Sequence, residues 1–153
     1  MADLLDNKLA MAKEFGATHT VNSKRDDPVA KIKELTGGKG VHYGFEAIGL
    51  VPEPFLQSIL CTRRRGITTW VGHAPLKTPV TIDARDLILE KTVIGSMYGT
   101  ARPYVDFPRL LTLYKTGKLK LDELITKRVK LHEVNDAFDA LSKGLVARSV
   151  IQY

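Results

Sequence analysis

Residues 40–49, GVHYGFEAIG, 51–65, VPEPFLQSILCTRRR, and 66–75, GITTWVGHAP, read in turn as a strand, a helix and a second strand. The first strand is expected at Val41–Ala47. It is apolar and aromatic with glycine at both flanks, as suits a strand buried on both faces. Ile48-Gly49 break it. From there Val51, Phe55, Ile59 and Leu60 recur at helical spacing. Arg63-Arg64-Arg65 are expected to close that helix, where cations suit its C-terminal dipole, and Gly66 to stop it. Ile67–Val71 forms the next strand and ends in Gly72. Two buried strands joined by such a helix make a right-handed βαβ unit of a parallel sheet. Parallel sheets bind ligands at the carboxyl ends of their strands, here Ala47-Ile48-Gly49 and Val71-Gly72-His73-Ala74-Pro75.

Outward from this unit the chain goes on alternating helix and strand. Asp6 is expected near the N-cap of a helix carrying Leu9, Met11, Ala12 and Phe15 on its apolar side and ending at Gly16. Thr18–Asn22 is β-rich and short. Asp26-Asp27-Pro28 opens a helix with proline in its first turn and carboxylates at the positive end of the dipole; it runs to Gly37-Gly38. Beyond Pro75 come an extended piece at Pro79–Ile82, a helical turn at Arg85–Glu90 and a strand at Thr92–Tyr98. The character changes after Gly99, with helices at Phe107–Tyr114 and from Val134 to Gly144 and strands at Ile125–Leu131 and Ala147–Tyr153. No repeat or low-complexity segment interrupts the chain.

The 153 residues, 44% hydrophobic and 26% charged, suit a soluble globular chain with a core of useful size. No apolar run approaches membrane-spanning length, and MADLLDNKLA is not a secretory signal. A single cysteine, Cys61, excludes an internal disulfide and fits a reducing cytoplasm. The net charge of +6 is scattered over Lys31 and Lys33, Arg63–Arg65, Lys115–Lys120 and Lys127–Lys130 without interleaved aromatics, so no nucleic-acid platform is expected. His42 and His132 have no second metal ligand at the required spacing. Ser23 and Ser96 have no histidine placed to activate them. No G-x-G-x-x-G occurs, and a helix comes where a nucleotide fold would open with a strand and a glycine-rich turn.

The stretches DLLDNKLAMAKEFGATHTVN, ELTGGKGVHYGFEAIG, WVGHAP, GSMYG and ARSVIQY together resemble, in order and at matching spacing, the C-terminal portion of zinc-type medium-chain alcohol dehydrogenases. The resemblance covers essentially all of residues 2–153. It implies an α/β fold: an incomplete doubly wound, Rossmann-type parallel sheet lacking its first strand and most of its second. Residues 1–98 would be a partial NAD-binding domain, and 99–153 an α+β segment that in the family packs on a separate catalytic domain. In the doubly wound order 3-2-1-4-5-6, two strands are then missing between Thr18–Asn22 and Val41–Ala47. The sheet must leave that gap or close it.

The resemblance also assigns residues to NAD. Asp3 would accept hydrogen bonds from the adenosine ribose hydroxyls and repel a 2′-phosphate, with Lys8 beside it. Ile48 and Gly49 would line the adenosine pocket. Val71, Gly72 and His73 would run along the nicotinamide, although the family usually carries an apolar residue where His73 stands. The backbone of Tyr98 and Gly99 would touch the carboxamide, and Arg148 would reach the pyrophosphate. The family's zinc ligands are absent, and one cysteine rebuilds neither its catalytic nor its structural zinc site. The implied reaction is hydride transfer between an alcohol, or formaldehyde, and NAD, with this chain alone catalytically incompetent. The alternative is a non-catalytic nucleotide-binding or association module. Expected partners are a homodimer mate along Thr92–Tyr98 and a catalytic half from elsewhere.

Overall fold

The computed structural model describes residues 1–153. In chain order it contains β1 (Ala2–Asp3), α1 (Asp6–Glu14), β2 (Val21–Asn22), α2 (Pro28–Leu35), β3 (Val41–Glu46), α3 (Pro52–Cys61), β4 (Thr62–Trp70), α4 (Ala84–Ile88), β5 (Thr92–Gly95), α5 (Pro103–Lys115), β6 (Ile125–Val129), α6 (Val134–Ser142) and β7 (Arg148–Ile151). It divides into two compact units. One holds Met1, Asp3–Thr20 and Arg102–Tyr153, and the other holds Ala2 and Val21–Ala101. Helix α1 therefore groups with the C-terminal segment rather than with the strands that follow it.

The second unit is built on a parallel sheet of order β3-β4-β5. Tyr43 lies opposite Ile67 and Glu46 opposite Trp70, while Thr68 lies opposite Val93. This is the α/β arrangement of an incomplete doubly wound sheet. Helix α3 seats on β4 through a polar seam around Ser58. Its carbonyl accepts from Thr62 Oγ1 at 2.8 Å and from Thr68 Oγ1 at 3.2 Å, and Trp70 Nε1–H donates to its Oγ at 3.2 Å. Phe55 meets Trp70 edge to face, with centroids 5.0 Å apart, and Phe55 and Ile59 are buried. Hydroxyls so deep are tolerated because each finds a partner.

Several sequence expectations are corrected here. Arg63–Arg65 do not close α3. The helix stops at Cys61, and Thr62 already pairs with Val41. The three arginines lie where the ladder jumps register before Tyr43 pairs with Ile67. Arg65 takes φ 59° and pairs with Glu90 at 2.6 Å. The cation at the helix end is Lys91 instead: its buried Nζ donates to Ile59 O at 2.9 Å and contacts Asp86 Oδ1 at 3.0 Å. A residue 32 positions away along the chain thus supplies the charge that suits a C-terminal dipole. Nor is β3 buried on both faces: Tyr43 is 65% and Phe45 71% exposed. As the sheet's edge strand, β3 is aromatic on a face that nothing in this unit covers.

The strand expected at Thr92–Tyr98 ends at Gly95, and Tyr98 opens a 3-10 turn in which Gly99 takes φ 70°. The strand expected at Thr18–Asn22 shortens to Val21–Asn22 and pairs with β1, not with β3. Asp6 lies beside the N-cap of α1 as expected, as the acidic residue of its first turn; Leu5 holds the cap position itself, and its N–H donates to Asp3 Oδ1 at 2.9 Å. Asp27, one of the carboxylates expected where α2 opens, also caps the helix, accepting from Val29 N–H at 2.9 Å ahead of Pro28.

In the first unit β6 and β7 pair in parallel and α6 links them. Helix α1 is tied to this segment from both ends. Asn7 Nδ2 donates to Gly144 O at 3.0 Å and Lys8 Nζ to Val146 O at 2.6 Å. Lys120 Nζ donates to Glu14 O at 2.6 Å and lies over the Phe15 ring. Leu9, Ala12, Val129, Ala137 and Val146 are the buried apolar residues of this unit.

Two outcomes are expected. In hydrogen exchange, the amides of Ile67–Trp70 on the central strand are the slowest and those of Val21–Asn22 among the fastest, because a two-residue ladder opens at little cost. Burial pushes the Cys61 thiol up to about 11. The folded state then keeps its proton where an unfolded thiol, with a pKa near 9, gives it up. Stability is fully present below about pH 9 and falls by up to roughly 3 kcal/mol as pH rises through 11. Denaturant titrations of the chain and of Cys61→Ala at pH 8 and pH 10.5 check this; only the former should lose stability through this group.

Candidate functional site

A cleft of about 700 Å³ opens at the carboxyl ends of β4 and β5. Its lining is Trp70–Ala74 from the first strand end and Gly95–Gly99 from the second. Parallel α/β sheets place ligands at such strand ends, and the volume lies within the usual range for small-molecule sites. Five of the residues singled out from sequence line it together: Val71, Gly72, His73, Tyr98 and Gly99. Ser96 N–H donates to Trp70 O at 2.9 Å, which carries the contact between the two strands past Gly95 to the cleft wall.

Ile48 and Gly49 stand beside one wall rather than on it. The turn they form after β3 is packed backbone to backbone against Val71–His73. Leu50 N–H donates to His73 O at 3.2 Å, while Val71 and Gly72 N–H donate to Glu46 O at 2.8 and 3.1 Å. Gly49 has φ 66°, and a Cβ there would collide with the backbone of His73. At Gly72 a Cβ would strike Gly49 N and Glu46 Oε2. Both glycines are therefore demanded by the close approach of two strand ends.

Glu46 is the residue that sequence reasoning missed. It is 3% exposed, and its Oε1 accepts from Ile48 N–H at 2.7 Å and Gly49 N–H at 2.8 Å. Its Oε2 is buried without a hydrogen-bond partner. One side chain thus fixes the turn after β3, and its own carbonyl fixes the turn after β4. The signal was present in F-E-A-I-G: a carboxylate just ahead of a glycine turn can satisfy the N–H groups of that turn, as Asx side chains do in shorter loops.

The other three singled-out residues, Asp3, Lys8 and Arg148, belong to the first unit. Asp3 uses Oδ1 on the Leu5 N–H, and Lys8 reaches Val146 O. Arg148 borders a smaller cavity of about 240 Å³ between α6 and the β6–β7 pair, lined mainly by Val129, Val134, Phe138 and Leu141.

Comparison with known proteins agrees with this architecture. Residues 1–116 match the family described as zinc-binding dehydrogenase, and the chain belongs to that family. The chain is 39% identical over 149 residues to NDMA-dependent alcohol dehydrogenase of Amycolatopsis methanolica, covering 95% of this chain and 40% of that protein. Benzyl alcohol dehydrogenase of Acinetobacter calcoaceticus superposes with a TM-score of 0.92 at 35% identity, over 98% of this chain and 41% of that one. A protein of Sinorhizobium meliloti 1021, described as a zinc-binding dehydrogenase and solved bound to NADP, matches with a TM-score of 0.76 at 28% identity, over 89% of this chain and 39% of its own. The chain thus spans about two fifths of the proteins it matches.

The donor set of this chain does not fit the metal in the family's description. No three His, Cys, Asp or Glu side chains gather where they could hold an ion, and Cys61 is buried in α3 with its thiol held protonated.

The Glu46 arrangement makes a direct prediction. Glu46→Ala leaves two amides of the first turn without their acceptor and should cost about 3 kcal/mol in denaturant unfolding. Gly72→Ala forces the two turns apart and should cost roughly 1–3 kcal/mol. The same Ala substitution at Gly95, where a Cβ meets nothing within 4 Å, should cost well under either.

Proposed function

We propose that this chain is the cofactor-holding portion of an NAD-dependent alcohol dehydrogenase, and that the cleft at the ends of β4 and β5 receives the nicotinamide half of the dinucleotide. The observation that carries this reading is the position of the cleft at the carboxyl ends of two parallel strands, with Val71, Gly72, His73, Tyr98 and Gly99 together in its lining. Ile48 and Gly49, whose turn Glu46 holds, would lie toward the adenosine. Asp3 would take the ribose hydroxyls with one carboxylate oxygen, the other being used on Leu5 N–H. Lys8 and Arg148 would approach the ribose and the pyrophosphate.

The reaction proposed for the complete assembly is hydride transfer between an alcohol or aldehyde and the nicotinamide. The ring takes the hydride when bound, and this chain's residues bind it, orient it and exclude water. The metal step would fall to residues outside this chain, so the chain by itself is proposed to be inactive. A carboxylate at Asp3 repels a 2′-phosphate, which favours NAD over the NADP held by the Sinorhizobium relative. We place the reaction in the cytoplasm, in keeping with the single reduced cysteine. No helix is long and apolar enough to cross a membrane.

A second reading, an association module, draws support from the sheet edges. β5 has no neighbour on the side away from β4, and its Ile94 is half exposed. That edge would pair with a second copy, with further chain covering Tyr43 and Phe45 on β3. An exposed edge with apolar side chains favours such pairing.

Binding measured by NMR titration tests the main reading. No glycine-rich turn offers its N–H groups to the pyrophosphate, so NAD should bind more weakly than about 1 mM, worth less than roughly 4 kcal/mol. The shifts should fall on Gly72, His73 and Gly99, NADP should bind more weakly still, and Asp3→Ala should erase the difference between the two. Shifts confined to the cavity beside α6 would refute the assignment. Alcohol-dependent NADH production by the pure chain, abolished by a chelator, would overturn the proposed inactivity.

A further inference from the structure

His73 is the one cleft-lining residue of a type whose charge ordinarily changes near neutral pH. The rest of the lining is apolar or neutral, and Tyr98 supplies its only other titratable side chain. His73 is exposed, and its Nδ1 stands 3.0 Å from Ala74 O. A protonated ring keeps that contact as a donor, so the cation is accommodated without repacking. Its backbone is pinned from below, where Gly49 packs on it and Leu50 N–H donates to its carbonyl at 3.2 Å. The ring is therefore carried on a fixed turn rather than a free loop. From β3, the Glu46 side chain lies behind Gly72 with Oε1 engaged by two N–H groups. Lys77 follows four residues on in the same exposed loop and is exposed. Tyr98 faces from the end of β5.

We propose that His73 sets the redox-state preference of this cleft: its protonated imidazole disfavours the oxidised, cationic nicotinamide ring and leaves the neutral reduced ring unpenalised. The inference rests on the reading that the cleft receives the nicotinamide. Its physical basis is that the two forms of the dinucleotide share every phosphate and sugar and differ in one ring charge. A nearby cation therefore acts on their ratio. Two unit charges several ångströms apart in a half-open cleft repel enough to change an affinity roughly threefold to tenfold.

The test is the ratio of dissociation constants for NAD+ and NADH, each from chemical-shift titration of the full chain at pH 6.0 and pH 8.0. In the wild-type chain the ratio should rise roughly fivefold from pH 8.0 to pH 6.0, through weaker NAD+ binding. His73→Gln should hold the ratio flat at its pH 8.0 value, and His73→Lys should hold it high at both pH values. The amide spectrum of each variant reports whether the Gly49–His73 turn is intact. Binding of both forms with a wild-type ratio that does not move with pH, or that moves equally in His73→Gln, overturns the role of His73 and leaves the cofactor reading standing. Absence of shifts at the cleft with either form overturns the cofactor reading and this inference with it.

Discussion

The cleft depends on a carboxylate with nowhere else to go. Glu46 ends β3 pointing inward at 3% exposure, and two consecutive amides of the following turn close on its Oε1. A buried carboxylate without such donors would be costly; with them it becomes the post around which the turn is wound. The next strand end is then drawn in by the Glu46 carbonyl, which accepts both Val71 and Gly72 N–H groups. The two turns approach so closely that only glycine serves at positions 49 and 72. Position, turn and glycine are one constraint, and the cleft wall at Val71–His73 is its product.

That post is held in place by how α3 sits on the sheet. The Ser58 carbonyl takes hydroxyl hydrogens from both Thr62 and Thr68, and Trp70 closes the seam from above. These are neighbours across the helix–strand junction, so the helix can neither slide along β4 nor rotate on it without leaving hydroxyls unpaired in a buried layer. At the far end of α3, Lys91 satisfies Ile59 O and is itself balanced by Asp86. The approach to β5 is thereby tied to the helix that precedes β4, which helps fix where the second wall of the cleft, Gly95–Gly99, begins.

The hydroxyls around Ser58 and the amides on Glu46 Oε1 are paired, while several of the unit's apolar side chains are open. Tyr43 and Phe45 lie exposed along β3, and Leu76, Met97 and Tyr98 are exposed near the strand ends. Side chains of this kind, outside the seam and the Glu46 turns, do not hold the unit together. Such apolar surface is characteristic of faces that meet another surface, and it is consistent with a chain that spans about two fifths of the proteins it matches.

By itself the sequence determined the alternation of helix and strand, the parallel βαβ unit, the opening of α2 at Asp26-Asp27-Pro28 and the placing of Val71–His73 at a strand end. All of these follow from local spacing and turn chemistry. The resemblance carried by FEAIG and WVGHAP pointed to the family as well. Only the tertiary structure decided that Lys91, not Arg63–Arg65, stands at the end of α3, that β3 is an edge with an open aromatic face, and that Val21–Asn22 pairs with Ala2–Asp3. It alone revealed Glu46 as the shared anchor of two turns. The reason is physical: periodicity reports which residues prefer to be buried or turned, whereas these outcomes depend on which distant group reaches an unsatisfied carbonyl or amide first. That competition is settled only when the chain is packed.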